Sequence, residues 1–173
     1  MKIVHIVDLS YLNILLACYG GRSGRKMPRV TKTVEIEAPA DKVFGMLDDP
    51  ENFPVYVPNV TKVSNIRRSD ERLGDTFDVV YSMMGMDFNE KFTYSEYAKP
   101  KRLAARYEGR MTGSFGITLQ SKGGKTIATL DVNYEVRPGP LGKIANKLLF
   151  ERMNEKSAER MLENIKLVVE GTK

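Results

Sequence analysis

RVTKTVEIEAPADKVFGMLDDPENFP, residues 29 to 54, changes its hydrophobic period twice. Val30, Val34, Ile36 and Ala38 alternate with Thr31, Thr33, Glu35 and Glu37, the period of two that a half-buried strand requires. Pro39 ends the alternation. Val43, Phe44, Met46 and Leu47 then share one side of a short helix that begins just after the proline and stops at Asp48-Asp49-Pro50. From Glu51 to Asn59, Pro54 and Pro58 leave room only for a second short helical turn and a loop.

Working outward, the runs Val60 to Arg68, Asp75 to Met84, Met86 to Ala98, Arg102 to Met111, Ser114 to Gln120 and Thr126 to Val136 read as strands. Turn-rich Ser69 to Gly74, Gly85, Lys99-Pro100-Lys101, a break near Gly113 and Lys122-Gly123-Gly124-Lys125 separate them. Connections this short predict an antiparallel meander. Each run has one apolar parity: Phe77, Val79, Tyr81 and Met83; Phe88, Phe92 and Tyr94; Leu103, Ala105 and Tyr107; Phe115, Ile117 and Leu119; Ala128, Leu130, Val132, Tyr134 and Val136. Pro138-Gly139-Pro140 closes the sheet, and Leu141 to about Glu170 keeps helical spacing, with Glu155, Glu159, Lys156 and Arg160 on its wet side. The fold class is therefore α+β. A sheet of six to seven strands with one apolar face must curl around a helix narrower than itself, and the space between is filled by side chains or left as a cavity.

Composition removes much chemistry. The 173 residues suffice for one domain with its own core. A single cysteine, Cys18, and a single histidine, His5, leave no internal disulfide, zinc site, Ser-His-Asp triad or Cys-His pair, so neither a metal nor a cofactor is expected. Mean hydropathy is −0.34 and no uninterrupted apolar run approaches the roughly 18 residues of a spanning helix. Of the net charge of +5, residues 1–29 carry +4, which argues against a nucleic-acid groove in the body.

Residues 1–28 read as an N-terminal extension and residues 29–173 as the domain. The extension joins an apolar stretch, Ile3 to Tyr19, to Gly20-Gly21-Arg22-Ser23-Gly24-Arg25-Lys26. Leu15-Leu16-Ala17-Cys18 has the form of a lipobox, which would anchor the protein to a membrane, yet His5, Asp8 and Asn13 interrupt the apolar region. An amphipathic surface anchor is a second reading. The third, preferred here, takes Met27 as the true start and the residues before it as an over-extended gene reading, with a disordered tail as the remaining alternative, and expects a cytoplasmic protein.

Val34-Glu35-Ile36-Glu37-Ala38-Pro39-Ala40-Asp41-Lys42-Val43-Phe44, with Asp48-Asp49-Pro50-Glu51-Asn52-Phe53-Pro54 and Pro58-Asn59-Val60, resembles the opening of START-like, Bet v 1-like (SRPBCC) proteins. The polyketide cyclase/dehydrase and coenzyme Q-binding branch is the nearest in pattern. Pro138-Gly139-Pro140-Leu141-Gly142 and the long helix are similar to the same family's end, so the resemblance spans about residues 29–171. It implies a helix-grip fold, a curved antiparallel sheet around the C-terminal helix enclosing a hydrophobic cavity. Tyr56 stands where many relatives have tryptophan, which this chain lacks entirely. The family's functions are diverse: lipid and quinone carriers, polyketide cyclases, hormone receptors and a toxin acting on ribosomal subunits.

Glu90 shares parity with Phe88, Phe92 and Tyr94 and would point inward, where a carboxylate orients a ligand hydroxyl or moves a proton; alternatively it sits at the sheet's end and reaches water. Tyr81, Tyr94, Tyr107 and Tyr134 have inward parity and either hydrogen-bond a ligand or serve as core. Met83-Met84-Gly85-Met86 forms an apolar hairpin tip that admits a greasy ligand, touches a membrane transiently or plugs the cavity. Phe53, Val55, Tyr56 and Val57 offer the other lip, and Phe92, Met153 and Met161 would line the space. Arg106 and Asp131 fall on the outward parity as surface charges.

The leading expectation is a carrier for a hydrophobic small molecule, a lipid, isoprenoid or quinone, driven by apolar burial. The alternatives are a cyclase or dehydratase with Glu90 as its acid/base, and a ribosome-associated interaction protein. The absence of histidine from the body counts against the enzyme.

Overall fold

The structure is a computed structural model that describes residues 29–83, 85–136 and 147–171. The extension with His5 and Cys18, Met84, the Pro138-Gly139-Pro140 closure and the helical segment 141–146 lie outside the described residues.

The alternation at Arg29–Ile36 becomes strand β1, in which Val30 and Ile36 are buried between exposed Thr31, Thr33 and Glu35. Helix α1, Ala40–Leu47, buries Ala40, Val43, Phe44 and Leu47 on one face and starts immediately after Pro39. A 3-10 turn at Pro50–Asn52 leads into the one-turn helix α2, Phe53–Tyr56, where Pro54 is tolerated because first-turn amides have no intrahelical acceptor. The strands follow as β2 (Val60–Arg67), β3 (Thr76–Met83), β4 (Met86–Ala98), β5 (Arg102–Gly109), β6 (Met111–Lys122) and β7 (Lys125–Val136). Helix α3 occupies Lys147–Gly171, a length of about 37 Å at 1.5 Å per residue.

All seven strands form one antiparallel sheet in the order β1-β7-β6-β5-β4-β3-β2, so the first strand closes against the last. The apolar parity of each strand faces α3, whose Ala158, Met161, Leu162, Ile165 and Val169 are buried against it. This is the helix-grip architecture. Bulges interrupt β2 between Val60 and Lys62 and again between Ser64 and Arg67.

One strand boundary differs from the sequence reading. The break falls at Arg110, between Gly109 and Met111, and Gly113 lies inside β6, paired with Tyr107 on one side and Tyr134 on the other. A glycine there reflects a shortage of space. A Cβ at position 113 would stand 2.5 Å from the Tyr107 hydroxyl and would also strike the Asn133 carbonyl.

Phe53 is the hub of the core beneath α2. Its ring meets Tyr56, Phe77, Phe92 and Phe115 edge-on, with centroids 5.4, 5.2, 5.4 and 5.6 Å away. A polar latch closes the opposite end of the sheet. Arg72, with a left-handed φ of 63°, pairs with Asp75 at 2.9 Å and with Asp48 at 3.0 Å, and donates to the Asp48 carbonyl at 2.6 Å. Asp75 is buried, and its other oxygen accepts from the Ser69 amide and hydroxyl at 2.7 and 2.8 Å. The Arg72 guanidinium also lies 5.7 Å over the Tyr97 ring. The latch ties the end of α1 to the β2–β3 connection and to β4.

Candidate functional site

Between the concave face and α3 lies a cavity of about 130 Å³. Val79 and Tyr81 of β3, Glu90 and Phe92 of β4, Tyr107 of β5, Met111 and Phe115 of β6, and Leu130, Val132 and Tyr134 of β7 form its sheet side. Asn154, Ser157, Ala158 and Met161 of α3 face them, and Phe53, Val57, Pro58 and Val60 complete the wall. Phe53, Phe92, Phe115 and Leu130 are buried, whereas Val57, Pro58, Val60, Tyr81, Asn154 and Ser157 are half-exposed and mark the mouth.

Eight of the residues singled out in the sequence thus meet at one cavity: Phe53, Val57, Tyr81, Glu90, Phe92, Tyr107, Tyr134 and Met161. The others stand elsewhere. Tyr56 is buried against Phe53 beneath α2 and Tyr94 beside Arg72 of the latch, at 1% exposure each, and neither belongs to the cavity wall. Inward parity fixes the face a side chain joins but not its position along the strand, and Tyr94 lies four residues beyond Glu90 toward the far end. Met86 is 36% exposed at the β3–β4 tip, Val55 is exposed, and Met153 is half-buried outside the wall. Met83 ends β3 opposite Met86, and its side chain lies outside the described part of the molecule. Arg106 is exposed, while Asp131 accepts from Arg29 at 2.7 Å and Thr31 at 2.7 Å on the outer face.

Glu90 does not reach water. It is 2% exposed, and its Oε1 accepts from the Met111 amide at 3.0 Å. The bond depends on the strand break at Arg110, which turns the first amide of β6 back toward β4. Gly109 pairs with Glu90 and provides the space for its carboxylate, since a Cβ there would stand 2.8 Å from Glu90 Cδ. Gly113 does the same for the Tyr107 phenol, which donates to the Asn133 carbonyl at 3.2 Å. Sequence reasoning missed both glycines as site residues. The available signal was that Gly113 shares the inward parity of Phe115 and Ile117, where a strand interior ordinarily carries a side chain. At the mouth, Asn59 Nδ2 donates to the Tyr81 hydroxyl at 3.4 Å.

Burial, and after it the Glu90 carboxylate with Tyr134 and Tyr81, pushes the Tyr107 hydroxyl well above the usual tyrosine range. Burial does the same to Tyr56 and to Tyr94, where Arg72 opposes part of the rise. A raised folded-state pKa leaves the native phenol neutral where the unfolded chain ionises. The associated stability is therefore fully present below about pH 10 and is lost as pH rises toward the folded values. Phenolate absorbance is expected to show these three tyrosines titrating late, together with loss of circular dichroism. Complete ionisation near pH 10 with the fold intact would contradict that burial.

Residues 27–170 match the family model described as polyketide cyclase / dehydrase and lipid transport. The chain belongs to this family. None of the curated proteins compared with it matches. Among solved structures, a protein of Thermus thermophilus superimposes with a TM-score of 0.71 at 19% identity, covering 84% of this chain and 99% of that one. The Zhui aromatase/cyclase of Streptomyces sp. R1128 gives 0.70 at 18%, covering 83% and 94%. A START superfamily protein from Mycobacterium smegmatis gives 0.61 at 20%, also covering 83% and 94%. At such identities the likeness establishes the polyketide cyclase/dehydrase fold and leaves the ligand to be argued from the cavity. Among the described residues no cluster of histidine, cysteine and carboxylate side chains is arranged to hold a metal, and no helix is long and apolar enough to cross a membrane.

Proposed function

We propose that this family member binds a hydrophobic small molecule between the sheet and α3 and carries it unchanged. The observation behind this reading is the cavity wall itself, built mainly of aromatic and aliphatic side chains from six strands and α3 and opening past Val57, Pro58 and Tyr81. Burial of apolar ligand surface at roughly 25 cal/mol per Å² supplies the affinity. An isoprenoid, a quinone ring or a lipid fragment belongs to the class that such a wall retains. Loading at a membrane through the half-exposed Met86 tip, in a cytoplasmic protein whose domain spans residues 29–173, completes the reading.

Purification of the whole chain from a native-like source, followed by solvent extraction and mass spectrometry, is expected to release one apolar compound near stoichiometry. A clean apo mass, with no uptake of apolar probes, would overturn the proposal.

One observation favours a second reading, a cyclase or dehydratase without metal or cofactor. Glu90 is a buried carboxylate in the cavity wall, held by a backbone amide, and is thereby placed to move a proton on a bound substrate. Product formation from a polyketide-like chain, abolished in Glu90→Gln, would decide for the enzyme.

A further inference from the structure

The convex face of the sheet, turned away from α3, carries a second hollow of about 270 Å³ to which β4, β5, β6 and β7 all contribute. Strand register explains it. Ala104 of β5 pairs with Gly116 of β6, and Gly116 with Asp131 of β7, so two residues without reach form the floor where longer outward side chains would ordinarily rise. Arg102 leans across that floor, since a Cβ at position 116 would stand 3.0 Å from its Nη2. It is held there by two bonds to the Glu96 carboxylate, at 2.7 and 3.1 Å, and by donation to the Thr118 hydroxyl at 2.7 Å. Asp131, on the opposite rim, is tied to Arg29 and to the Thr31 hydroxyl at 2.7 Å each.

Arg106 remains. Among the described residues it makes no ion pair and no side-chain hydrogen bond, although it lines the hollow. A guanidinium stays protonated at every working pH, so its charge is fixed. Arg106 pairs in register with Ser114, and Ser114 with Asn133. Residues directly opposed on antiparallel strands hold their Cβ atoms about 5 Å apart, which sets guanidinium and hydroxyl side by side at the basin. Ser114 Oγ accepts from Asn133 Nδ2 at 3.4 Å and keeps its own hydrogen to donate. Around the basin the guanidiniums of Arg29, Arg102 and Arg106 face the carboxylates of Glu96 and Asp131, a surplus of one positive charge. A planar monoanion matches that surplus and the fork of an arginine, whereas the two acids would repel a doubly charged group. We infer that this outer basin binds a singly charged carboxylate, with Arg106 and Ser114 as its donors. The site is separate from the inner cavity and does not depend on what that cavity holds.

The test follows amide shifts of the full, isotope-labelled chain by NMR at constant ionic strength while acetate, acetamide or inorganic phosphate is added. Acetate is expected to give saturable shifts centred on Arg106, Ser114 and Gly116. It should bind about tenfold or more tightly than acetamide, its neutral counterpart, the factor typical of a hydrogen bond between charged groups. Arg106→Gln is expected to weaken acetate binding about tenfold and Ser114→Ala about threefold, with acetamide unaffected by the first. Arg106 is exposed and Ser114 half-exposed, so both variants should fold as wild type does. An acetylated Gly-Glu-Gly amide then identifies the source of the carboxylate: binding as tight as that of acetate or tighter assigns the basin to an acidic protein segment, weaker binding to a free organic acid. Shifts that do not saturate, equal affinities for acetate and acetamide, phosphate binding more tightly than acetate, or unchanged acetate binding in Arg106→Gln would each overturn the inference.

Discussion

Phe53→Ala is expected to lower the stability of the domain by about 4 kcal/mol, the usual cost of deleting a fully buried phenyl ring. The ring is 2% exposed and meets four other aromatic rings, and it fastens the single turn of α2 to the concave face through that cluster. A four-residue helix with proline in its first turn has no stability of its own to fall back on. Because Phe53 also lines the cavity, the void left by alanine joins it, and the site gains volume as the fold loses strength. Thermal unfolding followed by circular dichroism should show a midpoint roughly 10 °C lower. A loss under about 1.5 kcal/mol would mean that α2 is held by something other than this ring.

Arg72→Met is expected to cost about 3 kcal/mol or more, because it removes the cation from two carboxylates and leaves Asp75 buried without its counter-charge. The methionine stem keeps much of the packing over Tyr97, so the loss reports charge and hydrogen bonding. Arg72→Lys restores the charge without the fork that reaches Asp48 and Asp75 together, and should recover only part of the loss. Denaturant unfolding distinguishes these outcomes. A change below about 1 kcal/mol in Arg72→Met would show that the two acids tolerate each other unpaired. The triple Asp48→Asn, Asp75→Asn, Arg72→Met should then lie closer to wild type than Arg72→Met alone, since no orphaned charge remains.

Much of this architecture is legible in the chain because periods of two and 3.6 are local. The alternation from Val30 to Ala38, the helix after Pro39 and the inward sets of β3 to β7 follow from side-chain direction alone. What stays hidden depends on contacts between distant residues. Ser69 to Gly74 reads as a turn, and nothing local shows that Arg72 reaches back 24 residues to Asp48. Gly113 reads as a break, because glycine ordinarily punctuates strands, and its role appears only once β5 brings Tyr107 opposite it. Parity alone puts Glu90 on the correct face, yet whether it ends in water or in the wall turns on where β5 stops, one residue before Arg110. Tyr94 and Tyr107 carry the same parity but belong to the latch end and the cavity end, a distinction set by the register between strands.

The pairing of β1 with β7 also bears on how the chain is made. Arg29 and Asp131, joined across these two strands, are 102 residues apart in sequence. During synthesis β1 emerges early, with Val30, Val34 and Ile36 on one side, and β7, its sheet partner among the described residues, emerges after the rest of the meander. The hairpins from β2 onward form by short loop closures, whereas β1 waits for the largest one. Of the apolar surfaces that await α3, the side of β1 and α1 wait longest, which makes the N-terminal quarter of the domain the segment most in need of a holding chaperone.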